Sequence, residues 1–253
     1  MGRRHRLGLI HRPLQRDRIP RGGQGYIAPA GNTDPYWANV VLLAVNDNAA
    51  DASTVFDDQS TPNHTITTVG NAQYDTAQAP TGMTSSCLLD GTGDELDLDS
   101  SVDFAFGTGD FTIEGFSRFA ALGFAFVLFD FRAFGVDGAQ PVLYHVSNKI
   151  NYYTNAGNRI FGTTVITTGV WYHWALARSG TNTKLFLNGT QEGPTYVDST
   201  NYTVGAGGRP HFGAAAISVG NYMNGWMGPM RVTKGTARYT TTFTPPTLPL
   251  PTS

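Results

Sequence analysis

Glu95, Asp97 and Asp99 alternate with Leu96 and Leu98, and a period of two marks a strand with one face in a core and the other in water. Carboxylates mounted side by side on a sandwich strand are the groups a glycoside hydrolase would use. Their spacing argues against that use. Residues four apart on a regular strand lie ~13 Å apart, whereas a retaining pair works at ~5 Å. The expectation is a row of three carboxylates facing solvent. The adjoining turn, Asp90-Gly91-Thr92-Gly93-Asp94, holds oxygen ligands of the kind Ca²⁺ takes, roughly six to eight in number. Asp90 and Asp94, with Asp47 from another loop, form the candidate calcium set. The competing and preferred reading is a plain turn closed by Asx hydrogen bonds, so Ca²⁺ is possible and no cofactor is required.

The six histidines, His5, His11, His64, His145, His173 and His211, have neither zinc spacing nor the partners of a catalytic triad. His173 alternates with Trp171 and Ala175, which points to a hydrogen-bonded structural role. Gly107-Thr108-Gly109 and Gly205-Ala206-Gly207-Gly208 lack the Lys-Ser/Thr pair and the helix that a phosphate cradle needs. Tyr152, Tyr153, Trp174, Tyr222 and Trp226 offer rings on which a sugar could stack, with Asn151, Asn155 and Asn158 nearby. In a domain of this kind most such rings are core.

The elements that carry these residues read as short strands. With 30 Gly, 14 Pro, 12% aromatic and 14% charged residues among 253, the chain is poor in the residues that sustain long helices. Turn signals recur about every ten residues, as in a β-sandwich. Strands are predicted at 39–45, 65–69, 87–89, 95–99, 111–116, 124–131, 142–146, 150–153, 171–178 and 184–187, and near 225–232 beyond Pro229. Asn188-Gly189 supplies the positive φ angles of a type I′ turn, making 171 onward a three-stranded meander. Cys87 is the single cysteine, so the fold must rest on its core rather than on a disulfide. The longest uncharged apolar stretch, 119–129, is shorter than the ~20 residues of a spanning helix. The sequons at Asn63, Asn188 and Asn201 are expected to be unused, because the N-terminus lacks an apolar signal region.

Residues 1–33 form a basic arm and linker, ahead of a sandwich at 34–246 and a Pro-rich tail at 247–253. Seven of the 17 basic residues, Arg3, Arg4, Arg6, Arg12, Arg16, Arg18 and Arg21, fall in the first 22 positions with one acid, Asp17, while the rest of the chain is net acidic. Exposed ion pairs at ~0.2–1 kcal/mol each fall far short of the ~1–2 kcal/mol per residue needed to order the arm. Leu7, Leu9, Ile10, Leu14 and Ile19 would have to be buried as well. These arginines and aliphatics are the candidate anchors to a protein partner. The arm holds no Phe, Tyr or Trp for base stacking, which argues against nucleic acid.

Several segments, taken in order, resemble the phage-type laminin-G/concanavalin A-like domain. They are Asp34-Pro35-Tyr36-Trp37 with Val40-Val41-Leu42-Leu43, Val69-Gly70-Asn71-Ala72-Gln73, Leu89-Asp90-Gly91-Thr92-Gly93-Asp94 and Phe106-Gly107-Thr108-Gly109-Asp110-Phe111-Thr112-Ile113-Glu114. Trp171-Tyr172-His173, Leu185-Phe186-Leu187-Asn188-Gly189 and the stretch from Arg231-Val232 to Arg238-Tyr239 complete the series. The resemblance implies an all-β, two-sheet antiparallel jelly roll that binds glycans or proteins rather than catalyses. It further implies a structural protein on a virion surface, as a decoration protein or head- or tail-fibre subunit. Such a protein would assemble in the host cytoplasm, be oligomeric in the particle, and grip capsid or tail proteins through the arm. A glycan-binding adhesin is the alternative, and a polysaccharide hydrolase the third reading. Related domains often carry acids just before the Arg-Val strand; Gly228 and Pro229 stand there, which argues against a family calcium site at that point.

Overall fold

The computed structural model describes residues 33–204, 210–217 and 220–253, and among these fifteen strands build two antiparallel sheets. In chain order they are β1 (Val40–Ala44), β2 (Ile66–Val69), β3 (Gln73–Asp75), β4 (Ser86–Asp90), β5 (Glu95–Leu98), β6 (Phe111–Phe119), β7 (Phe126–Asp130) and β8 (Val142–Val146). They continue with β9 (Lys149–Thr154), β10 (Gly157–Phe161), β11 (Trp171–Ser179), β12 (Asn182–Leu187), β13 (Thr190–Val197), β14 (His211–Phe212) and β15 (Asn224–Lys234). One sheet runs β13-β12-β11-β6-β15-β4-β3, with β1 also paired to β15. The other runs β10-β9-β8-β7-β14-β5-β2.

The long strand β15 organises the first sheet. One edge pairs with β6 along its length; the other pairs with β4 through residues 224–227 and with β1 through residues 230–233. The register on β6 shifts between Met227 and Met230. Pro229 lies in that bulge, which is how a residue without an N–H enters a central strand.

Between the sheets, alternate residues form one core. Phe111, Ile113 and Phe119 of β6 and Trp174 and Leu176 of β11 face Leu96, Leu98, Leu128, Phe129, Leu143, Tyr152 and Phe212 of the other sheet. Gly115 is required by its neighbour: a Cβ there would lie 2.5 Å from the Trp174 ring. The indole Nε1 donates to Ser117 Oγ at 2.9 Å, so its polar atom is satisfied in the core. Asn188 and Gly189 take φ of 49° and 79° and close the β12–β13 hairpin. The chain after β15 folds back over the first sheet. Tyr239 and Phe243 pack on Ala175, Ala177 and Phe186, and Leu250 packs on Val40 and Leu43. Asn46 and Leu250 exchange hydrogen bonds. Each sheet therefore has an inner face in the core, and the two outer faces differ.

Candidate functional site

The expectation that Glu95, Asp97 and Asp99 all face water is wrong for two of them. Asp97 is buried, Glu95 is half-buried and Asp99 is exposed. The reason is β14, a two-residue strand that inserts between β5 and β7 and sets His211 in register with Asp97 on one side and Asp130 on the other. His211 Nδ1 lies 2.5 Å from Asp97 Oδ1 and 3.2 Å from Glu95 Oε2. Burial opposes a charge on the imidazole, but the hydrogen bonds and negative charges of Asp97 and Glu95 outweigh it and raise its pKa to about 9. The imidazole of β14 thus bridges two carboxylates of β5. Glu95, Asp97 and His211 each offer a donor atom within 4.8 Å of the others, a set that could also bind a divalent cation once the imidazole loses its proton.

The residues first considered for calcium have other partners. Asp94 is buried and accepts from the backbone N–H groups of Asn71 (2.8 Å) and Asp90 (2.9 Å). Asp90 closes an Asx turn by accepting from Thr92 N at 2.7 Å. Asp47 accepts a short hydrogen bond from the Tyr74 hydroxyl. The Gly107 and Gly109 carbonyls accept from the Arg178 guanidinium at 2.7 and 2.8 Å; that loop turns acceptors, not N–H groups, toward its charged partner. Arg3, Arg4, Arg6, Leu7, Leu9, Ile10, Arg12, Leu14, Arg16, Arg18, Ile19 and Arg21 lie outside the described residues, as does the 205–208 glycine run.

The outer face of the second sheet carries a cleft of about 290 Å³. Its floor is Val127 of β7, Val142 of β8, Ala215 and Ile217, and its walls are Tyr144 of β8, Tyr153 of β9, Asn158 of β10, Arg132 and Asn221. Alternation explains the selection: Leu143 and Tyr152 point into the core while Val142, Tyr144 and Tyr153 point out. Each phenol is fixed by a hydrogen bond. Tyr144 donates to Asn158 Oδ1 at 2.6 Å, and Tyr153 donates to Asp137 Oδ2 at 2.8 Å. The Arg132 guanidinium lies 5.3 Å from the centre of the Tyr153 ring. It donates twice to Asp130, at 2.9 and 2.6 Å, and once to Asp137, at 2.8 Å. Asp130 also accepts from Ala216 N at 2.9 Å, which ties the 213–217 wall to β7. A second cleft of about 500 Å³ shares Ala125, Phe126 and Asn221 with the first and extends to Asp90, Thr92, Phe124, Tyr222 and Asn224. The two form one groove.

Of the five aromatics first considered for stacking, Tyr152 and Trp174 are core. Trp226 is half-buried, with its Nε1 on Asp75 and Arg118 over its ring. Tyr153 and Tyr222 line the groove. Sequence reasoning missed Arg132, Asp137, Tyr144 and Asn221; the alternation Val142/Tyr144 was the available signal for one of them.

The outer face of the first sheet is largely covered by the C-terminal segment by contrast. Glu114, fully buried, accepts from Arg231 at 2.7 and 2.9 Å and from Tyr239 at 2.7 Å, and lies 3.1 Å from His173 Nε2. Asp34 bridges Arg231 and Arg238 at 2.9 and 2.7 Å. Burial alone would raise the Glu114 pKa, but Arg231, His173 and Arg238 together hold it well below the usual carboxylate range. His173 is thus the structural histidine its strand position implies. Beside this network lies a hollow of about 440 Å³ between Pro80, Phe116, Trp171, Pro245 and Leu248. Two of its polar side chains are engaged inward: His173 with Glu114, and Asn188 with the His173 amide.

Two stacked antiparallel sheets with a groove on one outer face define a concanavalin A-like lectin sandwich. Residues 90–237 match the family described as the concanavalin A-like lectin/glucanases superfamily (Laminin_G_3); the span is more than half of the chain, and the chain belongs to that family. Comparison with curated proteins gives no match. Among solved structures, domain 4 of AbnA, an extracellular arabinanase from Geobacillus stearothermophilus in complex with arabinotriose, is 15% identical with a TM-score of 0.57, over 79% of this chain and 94% of that one. The binding domain of Paraclostridial Mosquitocidal Protein 1 is 13% identical with a TM-score of 0.58, over 80% and 50%. The binding domain of botulinum neurotoxin DC in complex with SialylT is 13% identical with a TM-score of 0.57, over 79% and 49%. The chain spans about half the length of the toxin domains. At these identities the likeness is one of fold.

These findings correct the virion reading. The similar structures come from an arabinanase and from toxin binding domains, and the family matched is not specific to phage. The expectations of a virion structural protein, a virion-surface location and capsid or tail partners are withdrawn. The residues that suggested them, strand motifs and turns, specify the sandwich, and the sandwich is shared far beyond phage.

Proposed function

We propose that this domain is a glycan-binding module of the adhesin type, without catalytic activity, and that the sugar lies in the groove on the outer face of the second sheet. The carrying observation is the cleft between Tyr144 and Tyr153: half-buried rings over an apolar floor, rimmed by Asn158, Asp137 and Asn221. A sugar ring presents apolar C–H faces and a rim of hydroxyls, and such a surface matches both. The phenols are held by hydrogen bonds before any ligand arrives, which limits the ordering cost of binding. The arabinotriose-bound domain supports a carbohydrate ligand for a sandwich of this shape.

A hydrolase is disfavoured by the engagement of Glu95 and Asp97 with His211. A glycan array followed by calorimetry tests the proposal. Selective binding of at least one oligosaccharide is expected, with Tyr153→Ala weakening it by tenfold or more, in the range of truncating an interface anchor. Hydrolysis of a bound glycan that Glu95→Gln abolishes would overturn the non-catalytic reading.

A further inference from the structure

Resting on that reading of the groove, we infer that the ligand is a neutral glycan and that the site discriminates against sugars bearing carboxylate or sulfate. Among the described residues the groove is lined by one guanidinium, Arg132, and its charge is already matched. Asp130 takes two of its donors, Asp137 takes a third, and the side chain is almost wholly buried. An anionic sugar could reach at most the two remaining N–H donors of a guanidinium whose charge is already neutralised by a fully buried bidentate carboxylate, itself also held by Ala216 N.

The other described charged groups at the two clefts are acidic. Asp137 stands at the Tyr153 wall with its side chain 38% exposed, and Asp90 is exposed in the adjoining cleft. Around the groove, three carboxylates therefore face one guanidinium. Among the described residues, Lys149 is a second cation near the groove: it shares the outward face of β9 with Tyr153, about 13 Å away along the strand, and lies two residues beyond the Tyr144–Asn151 pair, about 7 Å from the Tyr144 wall. Arg159 is turned to the Thr154 and Asn155 carbonyls and to the Tyr196 ring. Among the described residues the carboxylates around the groove, Asp90, Asp130 and Asp137, outnumber Arg132 and Lys149, so an anion meets net repulsion there. A neutral sugar meets acceptors suited to its hydroxyls: Asp137, whose oxygens each retain a lone pair, and Asn158, whose amide can also donate.

The test uses matched probes on the full chain: N-acetyllactosamine against its sialylated form, and galacto-oligosaccharides against oligogalacturonates. Calorimetry is run at low and high salt on the wild type, Tyr153→Ala and Asp137→Asn. The expected result is that the neutral member of a pair binds about tenfold tighter or more, that the gap narrows at high salt, and that it narrows again in Asp137→Asn. Equal or tighter binding of the acidic member, still lost in Tyr153→Ala, would overturn the charge inference and leave the groove as the binding site. Binding of either kind that ignores Tyr153→Ala, or no binding to any of the four probes, would overturn the groove reading and this inference with it.

Discussion

On the outer face of the first sheet, Glu114, His173 and Arg231 are sealed beneath residues 236–253, whereas on the outer face of the second, Tyr144 and Tyr153 keep part of their surface in water. Both faces are products of the same strand alternation, and both carry buried ion pairs. On the first face the polar atoms turn toward each other, and the covering segment adds Arg238 and Tyr239 to the network. On the second, one buried pair, Asp130–Arg132, secures the wall while Asp137, Asn158 and Asn221 remain at the rim. A charged network under a covering segment marks where the chain holds itself together. Rings and polar rims that remain accessible mark where it can hold something else.

The contrast breaks most readily at Glu114. Glu114→Ala leaves His173 buried without its carboxylate and Arg231 with Asp34 alone, and a loss of about 3–5 kcal/mol of stability is expected, measured by denaturant unfolding. Glycan affinity of the protein that remains folded should be unchanged. Because the Glu114 carboxyl is held below its ordinary range, the stability it contributes is complete above pH of about 4.5 and is lost only on strong acidification. Weakened binding in this variant would mean that the two faces are coupled.

Arg132→Ala sharpens the comparison from the other side, since it removes the buried pair on which the groove wall depends. It strands Asp130, so a stability loss of comparable size, about 3–5 kcal/mol, should accompany weaker glycan binding. Tyr153→Ala, by contrast, should reduce affinity by tenfold or more while costing well under half as much stability, because its ring is only half-buried.

How much of this was legible in sequence depended on the range of the signal. Glu95-Leu96-Asp97-Leu98 declared a strand, and Asn188-Gly189 declared a hairpin, because period two and positive φ are local properties. The sheet order followed from neither, and β3, β10 and β14 carried too little pattern to be separated from loops or turns. β14 had the largest consequence. Two residues bring His211 from more than a hundred positions away to Asp97, turning an apparent solvent-facing row into an ion pair. The groove was half legible: Tyr153, Tyr222 and Asn158 were candidates by type, but Arg132 and Asp137 lie in a glycine-punctuated loop without periodicity. The chemistry of that loop exists only once Asp130 and Tyr153 are beside it.

The smallest expected effect concerns His211. Its folded pKa of about 9 stands above the ordinary value of 6.5, so its contribution to stability is complete below about pH 6.5 and fades as pH rises through 9. The stability difference between the wild type and His211→Gln should therefore shrink between pH 6.5 and 9.5 in unfolding titrations. A difference that grows with pH would mean that the imidazole is held neutral.

The most direct measurement of where this domain binds is an amide and aromatic NMR titration with whichever oligosaccharide the array selects. The account predicts shifts concentrated at Tyr144, Tyr153, Asn158 and Asn221 on the second sheet. Shifts concentrated instead at Phe116, Trp171 and Leu248, on the covered face, would contradict it.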